Sequence, residues 1–319
     1  MRLITRSLVL LIIGGLWSEL VFGAAPDGQE DICTNPAVFF CENWENRPLG
    51  PVWNFVGVGG YKNNGWAVSD SITPDIVNTE RVDGTKAIRM VTGANKASGG
   101  WIDAAFPNGA AFRTVYWRWY VKYSPNYVWS PEATKHNETV SFDRIAGASG
   151  ADLGVFNFTS NMGFRTPNVV VAATQKDFVA GNPAAAYFPP NRNGGFSQFD
   201  VSRWYCVEAR ITMNTGALST DGYIQGWIDG VQYYEYPNVN IVSLHGDNPT
   251  HSGFFLASYW NCIPGGPDGT DCSRSPHPEI YRYMDNLVGS TQRIGCLGSS
   301  PSPSPAVQTP SGPSSVIVQ

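Results

Sequence analysis

The feature that most restricts this chain is a rhythm of two. Across Thr114–Tyr123, Val115, Trp117, Trp119 and Val121 alternate with Tyr116, Arg118, Tyr120 and Lys122, and alternate residues of an extended strand point to opposite faces. The first set reads as core. The second is a row of rings and cations, either a solvated outer face or the lining of a groove, and the interleaved tyrosines favour a groove. Comparable runs occur at Lys86–Thr92, Gly154–Thr159, Asn168–Ala173, Trp204–Met213, Tyr223–Asp229, Gly253–Trp260 and Tyr281–Ser290. Clusters of Gly, Pro, Asn and Asp separate them, and no amphipathic helix longer than about two turns stands out. Asp229-Gly230 has the chemistry of a two-residue hairpin turn, because both residue types tolerate positive φ. With 34 Gly and 23 Pro in 319 residues, a helical bundle is excluded; two large packed sheets with few short helices, a jelly-roll β-sandwich, are expected.

The ends differ from this middle. Residues 1–23 carry Arg2 and Arg6, an apolar run from Leu8 to Leu16, and small residues at Val21 and Gly23, the form of a secretory signal peptide cut before Ala24. The run is shorter than the ~20 residues a membrane span needs. Residues 24–296 are expected to form one domain, and residues 297–319 are a Ser/Pro-rich tail or linker that cannot bury a core and could carry a further module. Export predicts that the six cysteines form three disulfides. Two are expected as local loops, Cys33 with Cys41 and Cys262 with Cys272, leaving Cys206 with Cys296.

Chemistry is constrained by what is missing. A net charge of −5 argues against nucleic acid as a partner, and neither a Cys-x-x-Cys nor an HExxH spacing supports a zinc hydrolase. From Arg113 to Arg210, however, ten Lys/Arg stand against seven Asp/Glu, which suits an anionic polymer.

Several segments taken together, FFCENWE, RTVYWRWYVKYS with the following KHN, WYCVEARITMN, GYIQGWIDG and YRYMDNLVGSTQRIG, resemble the concanavalin A-like jelly rolls of secreted polysaccharide lyases (alginate, glucuronan and heparin lyase-like) and lectin-like domains. The resemblance implies a sugar-binding sheet face and β-elimination from uronate polymers. It also implies a structural Ca²⁺ held by Glu42, Asp285 and the Gly84 carbonyl; no cofactor is required for the reaction itself.

β-Elimination needs a cation or strong donor at the uronate carboxylate, a base for the C5 proton and an acid for the leaving oxygen. Arg118 is the leading carboxylate partner, since its fork matches that group. Lys135 and His136 are candidate bases, His136 because it titrates near neutrality, and Tyr259 or Tyr283 could supply the phenol. Tyr116, Tyr120, Lys122, Gln225 and Trp227 are expected to bind substrate. Two rivals remain: hydrolysis, which needs paired carboxylates such as Glu208 and Asp229, and glycan binding without reaction through Tyr116, Tyr120, Tyr223, Trp227 and Trp260, with Gln225 and Asn261 as hydroxyl partners. Asn137-Glu138-Thr139 and Asn157-Phe158-Thr159 match glycosylation acceptors, which matter only in a eukaryotic secretory host.

Overall fold

In a computed structural model, the chain is described at residues 30–52, 74–96, 110–129, 199–213, 219–238 and 272–298, with a few interior positions excepted, and as backbone in the strands between them. The expected signal segment, most of the tail and Cys262 lie outside the described residues. The strands in chain order are β1 (Val38–Glu42), β2 (Gly50–Pro51), β3 (Trp66–Val68), β4 (Asp75–Val77), β5 (Ala87–Thr92), β6 (Ser98–Ala105), β7 (Thr114–Tyr123) and β8 (Ala133–Phe142). They continue as β9 (Val155–Asn161), β10 (Pro167–Ala172), β11 (Ala186–Phe188), β12 (Trp204–Thr212), β13 (Gly222–Ile228), β14 (Val231–Val239), β15 (His251–Trp260) and β16 (Ile280–Ser290). A single 3₁₀ turn, Asp31–Thr34, is the helical element among the described residues.

Two antiparallel sheets form a jelly-roll β-sandwich. The first has nine strands, ordered β14-β13-β12-β7-β16-β5-β4-β2 with β1 joined to β16; the second has seven, ordered β11-β10-β9-β8-β15-β6-β3. β5 of the first lies against β6 and β15 of the second. β16 is central because its two halves pair differently: Ile280–Met284 with β5, and the stretch from Leu287 with β1. A bulge between Asp285 and Val288 separates the halves, with Asn286 at φ +48°, a left-handed conformation Asn tolerates. The hairpin expected at Asp229-Gly230 joins β13 to β14, with φ of +50° and +80°, as a two-residue turn with positive φ at both positions requires.

The core side of β7 is as expected. Val115, Trp117, Trp119 and Val121 are each 5% exposed or less and pack with Ile88, Met90, Val207, Ile211 and Ile224. The other side of the nine-stranded sheet is also covered. Tyr116, Trp227, Val288 and Ile294 form a second apolar cluster, joined by Ile32, Cys33, Val38 and Cys41. Thus the segment from Glu30 to Ala37, which leads into β1, and the segment from Thr291 to Leu297 lie over the outside of this sheet as two straps.

Covalent bonds fix both straps. Cys33–Cys41 closes the first, and Cys206–Cys296 ties the second to β12, each with Cα atoms 5.9 Å apart. Cys272 is also disulfide-bonded.

Candidate active site

The row of rings and cations on β7 is not a trough. Arg118 is 1% exposed, and its two terminal nitrogens meet the carboxylate of Glu30 on the N-terminal strap at 2.7 and 2.5 Å. A guanidinium sealed under a strap and paired in this way cannot reach a polymer carboxylate, so Arg118 is corrected to an anchor of the strap. Burial pushes the Glu30 carboxyl above its usual range even against the pull of Arg118. Tyr116 and Tyr120 are buried as well; the Tyr120 hydroxyl accepts the amide of Leu297 at 2.5 Å. Lys122, half-buried, is paired with Glu80 at 2.6 Å. Gln225 and Trp227 are 3% and 4% exposed, which removes them too from a sugar-lining role. Tyr283, 7% exposed on the same outer side, is buried beside Arg89.

Glu208 is similarly committed. At 1% exposure it accepts the amides of Ile294 at 2.7 Å and Gly295 at 3.1 Å, so a single carboxylate seats the C-terminal strap. Asp229 sits in the hairpin turn, bonded to Arg203 at 2.5 Å and to the Cys206 amide at 3.0 Å. One carboxylate is sealed and the other holds a turn, so the two do not flank a place where a glycosidic bond could lie.

The residues assigned to Ca²⁺ are turned to other partners. Glu42 faces Arg47 at 2.6 Å and the Trp44 amide at 2.9 Å. Asp285, fully buried, accepts the amides of Val82 at 2.9 Å and Asn286 at 2.8 Å. The Gly84 amide bonds Asp83, and a Cβ at Gly84 would stand 2.5 Å from Glu45 Oε1. Among the described residues no three acidic, His or Cys side chains converge. As arranged, these groups tie the 82–86 loop and the N-terminal loop to the sheet. Burial lifts Asp285 to about 7 in spite of its amide partners.

The remaining candidates lie on the seven-stranded sheet. Lys135 on β8 is directly opposite Tyr259 on β15 and opposite Thr159 on β9. Since cross-strand partners share a face, Lys135, Tyr259 and Thr159 do so, with Asn137 at the next position of that face along β8. His136 falls on the other face, opposite Ser258 and Phe158. That second face also holds Glu138, Val140, Phe142, Phe254, Leu256 and Phe156 by alternation. Lys135 and Tyr259 are therefore brought together, whereas His136 and Arg118 are on other surfaces.

Two relevant residues were missed in the sequence. Asn137 lay in a segment whose polar composition hid a strand. Glu30 is 88 positions from Arg118, a separation at which no local signal exists.

No protein-family model and no curated protein sequence matches the chain. Solved structures do. The alginate lyase Aly36B is 16% identical over 81% of this chain and 98% of its own, with a TM-score of 0.51. A double mutant of Aly36B in complex with alginate trisaccharide is 14% identical over 80% of this chain and 98% of its own, with a TM-score of 0.52. An endo-β-1,4-glucuronan lyase from the fungus Trichoderma reesei is 15% identical over 80% and 96%, with a TM-score of 0.49. At these identities the likeness to Aly36B establishes the jelly-roll fold.

Proposed function

We propose that this chain is a secreted polysaccharide lyase that cleaves a uronate polymer by β-elimination on the polar face of the seven-stranded sheet. The observation that carries the reading is the register that sets Lys135 opposite Tyr259 on a face with Asn137 and Thr159. The Aly36B fold likeness supports it by analogy, and disulfides at Cys33–Cys41 and Cys206–Cys296 support an oxidising compartment.

In this reading Asn137 donates its amide N–H to the uronate carboxylate, which lowers the cost of negative charge building up as the C5 proton departs. Lys135, in its neutral form, accepts that proton; an ammonium that loses part of its hydration against a substrate deprotonates more readily than one in water. The electron pair of the C5–H bond becomes the C4=C5 double bond, the C4–O bond breaks, and the Tyr259 hydroxyl protonates the leaving oxygen. No metal takes part in any of these steps.

The test is incubation with alginate, polyglucuronate and glycosaminoglycans while recording the ultraviolet absorbance of the conjugated, unsaturated uronate. Growth of that band, abolished by Lys135→Ala and by Tyr259→Phe, is expected. New reducing ends without the band would replace elimination with hydrolysis. Retention on a polymer column with neither product would make the chain a glycan-binding module.

A further inference from the structure

Among the described residues, the outside of the nine-stranded sheet carries one arginine that no neighbouring carboxylate neutralises. Arg89 is paired with Asp75 at 2.6 Å, and Arg118 with Glu30. Arg293 lies 3.7 Å from Glu208 and bonds the Gly230 carbonyl. Arg210 on β12, half-buried, has no carboxylate partner among the described residues, and its buried Nε has no acceptor there.

Rings hold it in place. The guanidinium carbon stands 4.5 Å from the Tyr223 ring and 5.7 Å from the Tyr116 ring, within cation–π range of both. Tyr116 in turn stacks on Trp227 at 6.3 Å, and the cation of Arg293 sits 4.5 Å from the Trp227 ring. The Tyr223 hydroxyl bonds Glu235, whose second oxygen accepts from Gln232, and Gln232 accepts from Gln225. The acids near Arg210 are thus engaged: Glu235 by Tyr223 and Gln232, Glu208 by the strap amides.

We propose that Arg210, flanked by Tyr116 and Tyr223, anchors a second, non-catalytic binding site for a carboxylated sugar on the outside of the nine-stranded sheet. A planar fork held against rings has already lost much of the side-chain freedom that binding would otherwise cost. Its charge complements a carboxylate, and Tyr223 at its side offers a ring face to the apolar side of a sugar. β14, the edge strand of this sheet, bounds the site on the side away from the straps. The site lies on the sheet opposite Lys135 and Tyr259, so one polymer could be held at Arg210 while another segment of it occupies the reactive face, which raises the local concentration of substrate. The identity of the ligand as a uronate rests on the reading of the reactive face as a lyase.

The experiment is titration of polyglucuronate and alginate oligosaccharides into the full chain carrying Lys135→Ala, which removes turnover, followed by calorimetry and Trp fluorescence. Two classes of site are expected. Adding Arg210→Gln should weaken one class by about tenfold, the scale of losing a charge-assisted hydrogen bond, and carboxyl-reduced oligosaccharides should show the same loss on the parent. Arg210→Lys, which retains the charge and loses the fork, should fall between them. Matching melting transitions would show that all variants are folded. Identical titrations of Arg210→Gln, Arg210→Lys and the parent, equal binding of the carboxyl-reduced ligand, or a parent that binds no oligosaccharide would each overturn the site. If wild-type chain makes no unsaturated product yet Arg210-dependent binding persists, the lyase reading fails and this site stands.

Discussion

The two sheets of this sandwich use the same alternation of residues for different purposes. The nine-stranded sheet is covered on both sides: Trp117 and Trp119 face the shared core, while Arg118 and Tyr120 are sealed beneath straps closed by Cys33–Cys41 and Cys206–Cys296. On the seven-stranded sheet the register sets Lys135, Asn137, Thr159 and Tyr259 on one face and His136 on the other. Apart from Arg210, the arginines and Lys122 on the outside of the first are paired within the chain among the described residues, as Arg118–Glu30 and Lys122–Glu80 illustrate. The lesson is that a row of cations and rings on a strand identifies a ligand surface only when nothing in the chain already pairs with it.

The sharpest way to break this contrast is to truncate one cation from each sheet. Lys135→Ala is expected to lower the rate of unsaturated product formation by a factor on the order of 10²–10⁴, the range of general acid–base catalysis, with an unchanged melting transition. Arg118→Ala should do the reverse. Leaving Glu30 buried without its partner costs about 3–5 kcal/mol of stability, while turnover per folded molecule stays near wild type. A rate loss for Arg118→Ala that exceeds its folded fraction would put the chemistry back on the nine-stranded sheet.

The next effect concerns the strap. Replacing Cys206 and Cys296 by Ala, which opens a 90-residue link, should cost about 2–5 kcal/mol in urea unfolding. Turnover at a temperature where the variant is folded should persist, because the strap lies on the outer sheet.

A smaller, pH-dependent effect belongs to Asp285. Its folded pKa of about 7 lies above the ordinary value, so the native state holds this proton more tightly than the unfolded chain. Its contribution is fully present below about pH 4 and is lost as pH rises through about 7. The stability advantage of wild type over Asp285→Asn should therefore shrink from pH 4 to 7 and level off above; a difference that grows over that window would contradict the burial of an uncompensated carboxylate.

The smallest effect is expected at Lys122. Its pair with Glu80 is only partly shielded from water, at 15% and 25% side-chain exposure, so Lys122→Ala should cost no more than about 1 kcal/mol and leave sugar binding intact. A clear loss of oligosaccharide affinity in this variant would restore part of the row to a ligand surface.

Much of the fold was legible because its strands announce themselves by alternation. Thr114–Tyr123 is β7 to the residue, and the runs at Trp204, Tyr223 and Tyr281 became β12, β13 and β16 within one or two positions. β8 was not legible. Its residues, ATKHNETVSF, set Lys135, His136, Asn137 and Glu138 in a row at its centre, which breaks the apolar alternation that marks a strand although Thr134, Thr139, Val140 and Phe142 favour one. The candidate site shared this problem: Lys135 and Tyr259 were named separately, 124 positions apart by their numbers, and only the β8–β15 register sets them opposite each other.

Sequence by itself determined that this chain makes strands, that Asp229-Gly230 turns, and that Trp117 and Trp119 face a core, because these depend on neighbours a few residues away. The cysteine pairs at 33–41 and 206–296 could also be anticipated from count and spacing. Tertiary structure decided which cations are spent. Glu30, Glu208 and Leu297 reach Arg118, Tyr120 and the strap amides from distant parts of the chain, and burial with a partner, rather than residue type, fixes whether a charge holds the protein together or remains for a ligand.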